Sequence, residues 1–108
     1  MEDKFTAENF SDEDGNPAGG RVDGIGLQIE WQNGPLGPYG FPERVKPNGA
    51  FVETVLKAVQ QRIEYYQTSF PCRENALAIT KIEEAVHWLN SRTQRRIAEG
   101  TEGTHEGN

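Results

Sequence analysis

Polar and apolar positions change their period along this chain. Leu27, Ile29 and Trp31 alternate with Gln28, Glu30 and Gln32, a period of two that predicts a strand with one buried face. From Asn48 onward the period lengthens. Placed at 100° per residue, Phe51, Val52, Val55, Leu56, Val59, Ile63 and Tyr66 share one face, with Glu53, Lys57, Gln60 and Glu64 opposite. That arrangement predicts an amphipathic helix, with Arg62 near the edge of its apolar arc beside Tyr65. A second stripe, Ile79, Ile82, Val86 and Leu89, widened by Ala78 and Ala85, predicts another. The segment Thr-Ser-Phe-Pro separates the two, so Asn48 to Ala98 reads as a helical hairpin. Asn48 is the expected N-cap, Pro71 suits the first turn of the second helix, and Gly100 suits its stop.

The rest of the chain is less regular. Residues 1–20 are acidic, end in Asp-Gly-Asn-Pro-Ala-Gly-Gly and show no apolar period, which predicts a flexible, loosely attached N-terminus. The Gly- and Pro-rich stretch from Asn33 to Gly49 opens with an Asn-Gly turn signal, but Pro35 argues against a simple two-residue hairpin there. It has room for one or two short strands. A lone strand is unstable, so partners for Leu27–Trp31 are expected from this stretch or from another subunit. The organisation is therefore an acidic N-terminus (1–20), one domain (21–98) made of a β/loop part (21–47) and the hairpin (48–98), and a polar tail (99–108).

The two helices differ in length. Counted as Phe51–Gln67 and Cys72–Ala98, they span about 25 and about 40 Å at 1.5 Å per residue, so the second overhangs the first by roughly 15 Å. Arg92, Arg95 and Arg96 lie in that overhang with Ile97. Another subunit is the economical cover for its apolar side.

Composition narrows the function. A hydrophobic fraction of 34% in 108 residues is low for a free-standing globule, which again favours an oligomer. No apolar run approaches a membrane span, and Met-Glu-Asp-Lys-Phe-Thr-Ala lacks the basic and apolar regions of a signal peptide. Cys72 is the single cysteine, so no intrachain disulfide forms and a reducing cytoplasm fits. The net charge is −6. Glu2, Asp3, Glu8, Asp12, Glu13 and Asp14 against Lys4 give residues 1–20 a charge of −5, leaving −1 for the other 88. That balance disfavours a long nucleic-acid backbone while leaving room for a small anion on a local arginine cluster.

Four groups of residues are candidates for chemistry. Cys72 lies at a helix start, but no base accompanies it and a small core residue is the better reading. Glu84 and His87 form a Glu-x-x-His that, with Glu53 or Glu64 of another helix, would build a ferritin-like iron site in a dimer of hairpins. Both point away from the Ile79–Val86 stripe, so a solvated face is favoured. Arg92 and Arg96 are an i,i+4 pair suited to phosphate oxygens, with Trp88 one turn before as a flat wall. Ordinary placement near a helix C-terminus, where cations complement the dipole, explains them equally well. Tyr65 and Asn75 are neighbours across the turn. Asn75 either caps the turn, the favoured reading, or reads a base edge beside a stacking tyrosine. Asn75 and Arg92 are about 25 Å apart along one helix. A nucleotide-sized ligand reaches both only if its pocket is built from two subunits.

Four segments carry a resemblance to a known family: WQNGPLG, PNGAFVETVLKAVQQRIEYYQ, FPCRENALAITKIEEAVHWLNSRT and GTEGTHE. They cover most of Gly26 to Glu106. The chain resembles the phage-encoded sponges that inhibit Thoeris immunity by sequestering its cyclic ADP-ribose signal, and its hairpin is shared with a phage anti-CBASS sponge. The resemblance implies an α+β protomer, an N-terminal antiparallel sheet followed by C-terminal helices, assembled as a homohexamer. It implies binding without catalysis, no cofactor and no metal. The implied ligands are glycocyclic ADP-ribose isomers and, in some members, cyclic dinucleotides at the same sites and trinucleotides at separate ones. The adenine-stacking aromatic falls on Tyr65, where a phenylalanine is usual. The base-reading asparagine falls on Asn75 and the phosphate-binding arginines on Arg92 and Arg96. For a further arginine from the loop before the first helix, Arg44 is the nearest candidate. The implied place of action is the cytoplasm of the infected bacterium. A structural phage protein whose hairpin merely assembles, its arginines satisfied by acids, is the rival reading.

Overall fold

The computed structural model describes residues 4–37 and 41–99. The polar tail beyond Glu99, with His105, and the first three residues lie outside the described residues. Five elements follow one another: strands β1 (Phe5–Ser11), β2 (Pro17–Gly24) and β3 (Leu27–Trp31), then helices α1 (Val52–Ser69) and α2 (Arg73–Glu99). The strands form one antiparallel sheet in the order β1-β2-β3, and the helices pack against each other as a hairpin. The fold is α+β.

The sheet departs from the sequence reading in one respect. β3 forms where its alternation placed it, but its partner is β2, which lies upstream rather than in the Gly/Pro-rich stretch. Most of residues 5–20, read above as loosely attached, is paired strand. The signal was weak because Phe5 and Phe10 fall on opposite faces of β1 and Val22 is the only large apolar residue of β2. Backbone pairing and polar contacts hold these strands instead. Arg21 reaches Glu8 across the ladder at 3.0 Å and Asp23 at 3.4 Å. Its hydrogen bond to Glu8, with the charges of Glu8 and Asp23, raises the guanidinium pKa above its ordinary value. Gly20 sits opposite Asn9 with φ 155°, and a Cβ there would collide with the Glu8 carbonyl oxygen. At the β1–β2 turn, Asp12 Oδ1 accepts the N–H groups of Asp14 and Asn16, both at 2.9 Å, the Asx-turn chemistry that aspartate offers a tight reversal.

The return from β3 to α1 is fixed by Asn48, and here a second expectation is corrected. The helix begins at Val52 with Phe51 in the cap position and no side-chain cap. The Asn48 carboxamide is occupied elsewhere. Its Oδ1 accepts the Asn33 N–H (2.8 Å), its Nδ2 donates to the Asn33 carbonyl (3.1 Å), and its own N–H donates to Gln32 Oε1 (2.9 Å). Ala50 adds a parallel bridge to the end of β3, donating to the Glu30 carbonyl at 2.7 Å and accepting from the Gln32 N–H at 3.0 Å. These bonds tie the start of the hairpin to the last strand. No further strand forms among the described residues between Trp31 and Val52.

The hairpin core is thin. Val86 is the one buried side chain among the described residues, while Val55, Leu56, Ile63, Ile79, Ile82 and Leu89 are half-buried. Val52 and Val59 on the apolar arc of α1, and Leu77 and Trp88 on α2, are exposed, Trp88 at 70%. Two amphipathic helices cover only the sides they turn to each other. The remaining apolar surface is left uncovered by the described residues.

Candidate ligand-binding site

The tip of the hairpin is closed by Gln67, which the sequence did not single out, together with Cys72. Gln67, in the last turn of α1, donates from Nε2 to the Cys72 carbonyl (3.1 Å) and accepts the Cys72 N–H on Oε1 (3.0 Å). This reciprocal pair closes the turn. Cys72 then takes the N-cap position of α2: its carbonyl accepts the Ala76 N–H at 3.2 Å and its thiol accepts the Asn75 N–H at 3.4 Å. Cys72 is exposed, not the core residue expected, because its polar work lies at the surface of the turn.

That division of labour bears on Asn75. Turn capping was the favoured reading of its side chain, but Gln67 and Cys72 do that work. The half-buried Asn75 carboxamide makes no hydrogen bond among the described residues. A carboxamide carries two donors and two acceptor lone pairs, all of them open here to an incoming partner. Tyr65, near the end of α1 and next to Tyr66, is exposed at 56%. Arg62 joins it: its Cζ lies over the Tyr65 ring at 5.1 Å and over the Tyr66 ring at 4.8 Å, and its Nε donates to Tyr66 Oη at 3.1 Å.

The far end of α2 differs in kind. Arg96 is half-buried in the last turn, where the helix dipole favours a cation. Arg92 stands seven residues before the helix end, beyond the reach of that dipole, so end placement accounts for Arg96 alone. Arg92 is exposed and makes no hydrogen bond or ion pair among the described residues. No acid therefore pairs with Arg92 among the described residues. Trp88 lies one turn earlier, its ring edge-on to His87 with centroids 5.5 Å apart.

α2 runs unbroken from Arg73 to Glu99, so Asn75 and Arg92 remain about 25 Å apart within one chain. The structure does not bring the tip and the overhang together in a protomer. Arg44, in the loop before α1, is half-buried and donates from Nη1 to the Gly37 carbonyl at 3.1 Å, so at least one of its donors serves the loop. Glu84 and His87 are exposed, and Glu84 sits 3.7 Å from Lys81. Among the described residues no three potential metal-ligating side chains cluster, and no helix is long and apolar enough to cross a membrane.

A three-stranded antiparallel sheet leading into a two-helix hairpin, with open polar groups at both ends of the longer helix, defines a small α+β hairpin protein. Residues 23–94 match the Acb2/Tad1 hairpin domain, and the chain belongs to that family, as the resemblance in its helices implied. Over 79 residues it is 47% identical to Thoeris anti-defense 1 of Bacillus phage SBSphiJ7, a match covering 72% of this chain and 51% of that protein. The chain spans about half the length of the curated relative it matches.

Proposed function

We propose that this chain is a phage immune-evasion protein that captures glycocyclic ADP-ribose, a signal of bacterial Thoeris defence, and holds it without altering it. The observation that carries this reading is the pair of open polar groups near the two ends of α2: the Asn75 carboxamide, across the turn from Tyr65, and Arg92, one turn before Arg96. Neither the Asn75 carboxamide nor Arg92 has a hydrogen-bond or ion-pair partner among the described residues, and the distance between them, about 25 Å, exceeds the reach of one nucleotide. In a homo-oligomer, a hexamer by the family resemblance, the tip of one subunit meets the overhang of its neighbour. Tyr65 stacks on adenine and Asn75 hydrogen-bonds its edge. Arg92 and Arg96 of the neighbour grip the pyrophosphate, whose oxygens match two planar guanidinium forks.

A sponge needs affinity and no turnover. The proposed pocket residues are a stacking ring, an amide and two arginines, a set that binds and orients but includes no nucleophile and no general base. The site of action is the cytoplasm of the infected host, where the signal is made. The name of the Bacillus phage relative, Thoeris anti-defense 1, supports the anti-Thoeris assignment.

The test is capture and release. The protein is incubated with a mixture of glycocyclic ADP-ribose and cyclic di- and trinucleotides, freed of unbound ligand, and denatured by heat. Release of unmodified glycocyclic ADP-ribose is expected, and co-release of cyclic dinucleotides extends the ligand range. An altered product identifies an enzyme instead, and no capture leaves an assembly protein.

A further inference from the structure

We infer that Arg62 is a positioning and specificity residue of the tip: it covers one face of Tyr65, so that an electron-rich base stacks only on the other. This rests on the stacking role proposed for Tyr65 and goes beyond it. Three contacts carry the inference. The Arg62 guanidinium lies over Tyr65 (5.1 Å) and over Tyr66 (4.8 Å), and its Nε is held by Tyr66 Oη at 3.1 Å. The two rings are tilted by 54° with centroids 6.1 Å apart, and the guanidinium lies against both. Arg62 is exposed and has no ion pair among the described residues, so no acid draws it away from the rings.

Two consequences follow from elementary electrostatics. An aromatic face attracts a cation, so the guanidinium fixes the ring it covers. Tyr65 is then held before a ligand arrives, which removes part of the ordering cost of binding. Second, a cation behind the ring makes the opposite face less negative. An electron-rich, uncharged purine stacks well on such a face, whereas a positively charged pyridinium ring is repelled. Tyr65 thereby becomes a one-sided platform that favours adenine over the nicotinamide cation of an unprocessed nicotinamide nucleotide. Tyr66 acts through Arg62: its ring and hydroxyl hold the guanidinium in place.

The test compares wild type with Arg62→Met, Arg62→Lys and Tyr66→Phe. Calorimetry reads the affinity for glycocyclic ADP-ribose, and competition by nicotinamide mononucleotide reads discrimination. Arg62→Met is expected to bind about five- to thirtyfold more weakly, the range of a cation–π contact at a partly desolvated site, and nicotinamide mononucleotide to compete relatively better. Arg62→Lys restores part of the affinity because it keeps the charge. Tyr66→Phe, which loses only the hydroxyl that anchors Arg62, falls by about threefold. Size-exclusion chromatography verifies that each variant keeps the wild-type assembly. Should Arg62→Met disturb the assembly, the Tyr66→Phe result decides. Wild-type affinity and an unchanged competition order in Arg62→Met, or in Tyr66→Phe where that decides, overturn the inference while leaving the sponge reading intact. Failure of the wild-type protein to bind glycocyclic ADP-ribose overturns both.

Discussion

The two ends of α2 solve opposite problems. At the tip, the backbone polar groups of the turn are served within the chain, by the Gln67 amide and by Cys72, and an aromatic pair is braced by Arg62. At the overhang, Arg92 has no partner of its own among the described residues, beside a Trp88 that is 70% exposed. The tip is finished and offers a surface. The overhang is unfinished and waits for one. A hairpin of unequal arms thus sets polar groups at the two ends of its longer helix too far apart to meet within one protomer, and the proposed pocket draws its halves from two subunits for that reason.

Removing the charges of the unfinished end should have the largest effect. Arg92→Ala/Arg96→Ala is expected to lower affinity for glycocyclic ADP-ribose on the order of a hundredfold or more, since each charge-assisted hydrogen bond contributes about 1.5–3 kcal/mol. Calorimetry beside size-exclusion chromatography checks this, and an intact oligomer binding at wild-type strength would refute the site. The next experiment asks whether the two ends belong to different subunits. Asn75→Ala chains, defective at the tip, are co-assembled in equal amounts with Arg92→Ala/Arg96→Ala chains, defective at the overhang. If neighbours share each pocket, about a quarter of the pockets regain both halves and capture reappears. If one chain supplies both halves, no pocket recovers.

Smaller effects separate stability from binding. Gln67→Ala removes both bonds that close the turn and should lower unfolding stability by about 1–2 kcal/mol, seen as a fall of several degrees in the thermal midpoint. Arg92→Ala alone should leave that midpoint nearly unchanged, because Arg92 makes no hydrogen bond or ion pair among the described residues. The smallest effect is expected at the solvated face. Glu84→Gln loses only an exposed pair with Lys81, so stability should shift by less than about 1 kcal/mol and capture should not change. A loss of capture there would place ligand contacts on the wrong side of α2.

The hairpin was legible because its apolar residues repeat at helical spacing over many turns, and the repeat located both helices to within a few residues. β3 was legible for the corresponding reason. Its partners were not, since β1 and β2 are held by backbone pairing, the Arg21–Glu8 contact and a glycine that lets two strands approach, none of which leaves a period in the sequence. Asn48 shows the same limit at one residue. Its type and place fitted an N-cap, but a carboxamide bonds whatever backbone is nearest, and that is the end of β3. Arg62 could have been noticed from its spacing to Tyr65 and Tyr66, three and four residues on, which places all three on one surface of a helix.

Local spacing alone set the two helices, their unequal lengths and the separation of Tyr65 and Asn75 from Arg92 and Arg96. These depend only on local spacing along a helix of known rise. Tertiary structure decided which of those polar groups are already occupied. Hydrogen-bond partners are distant in sequence or arise from the turn itself, so only the folded chain reveals that Gln67 and Cys72 close the tip, that Asn48 binds the sheet, and that Asn75 and Arg92 remain open among the described residues.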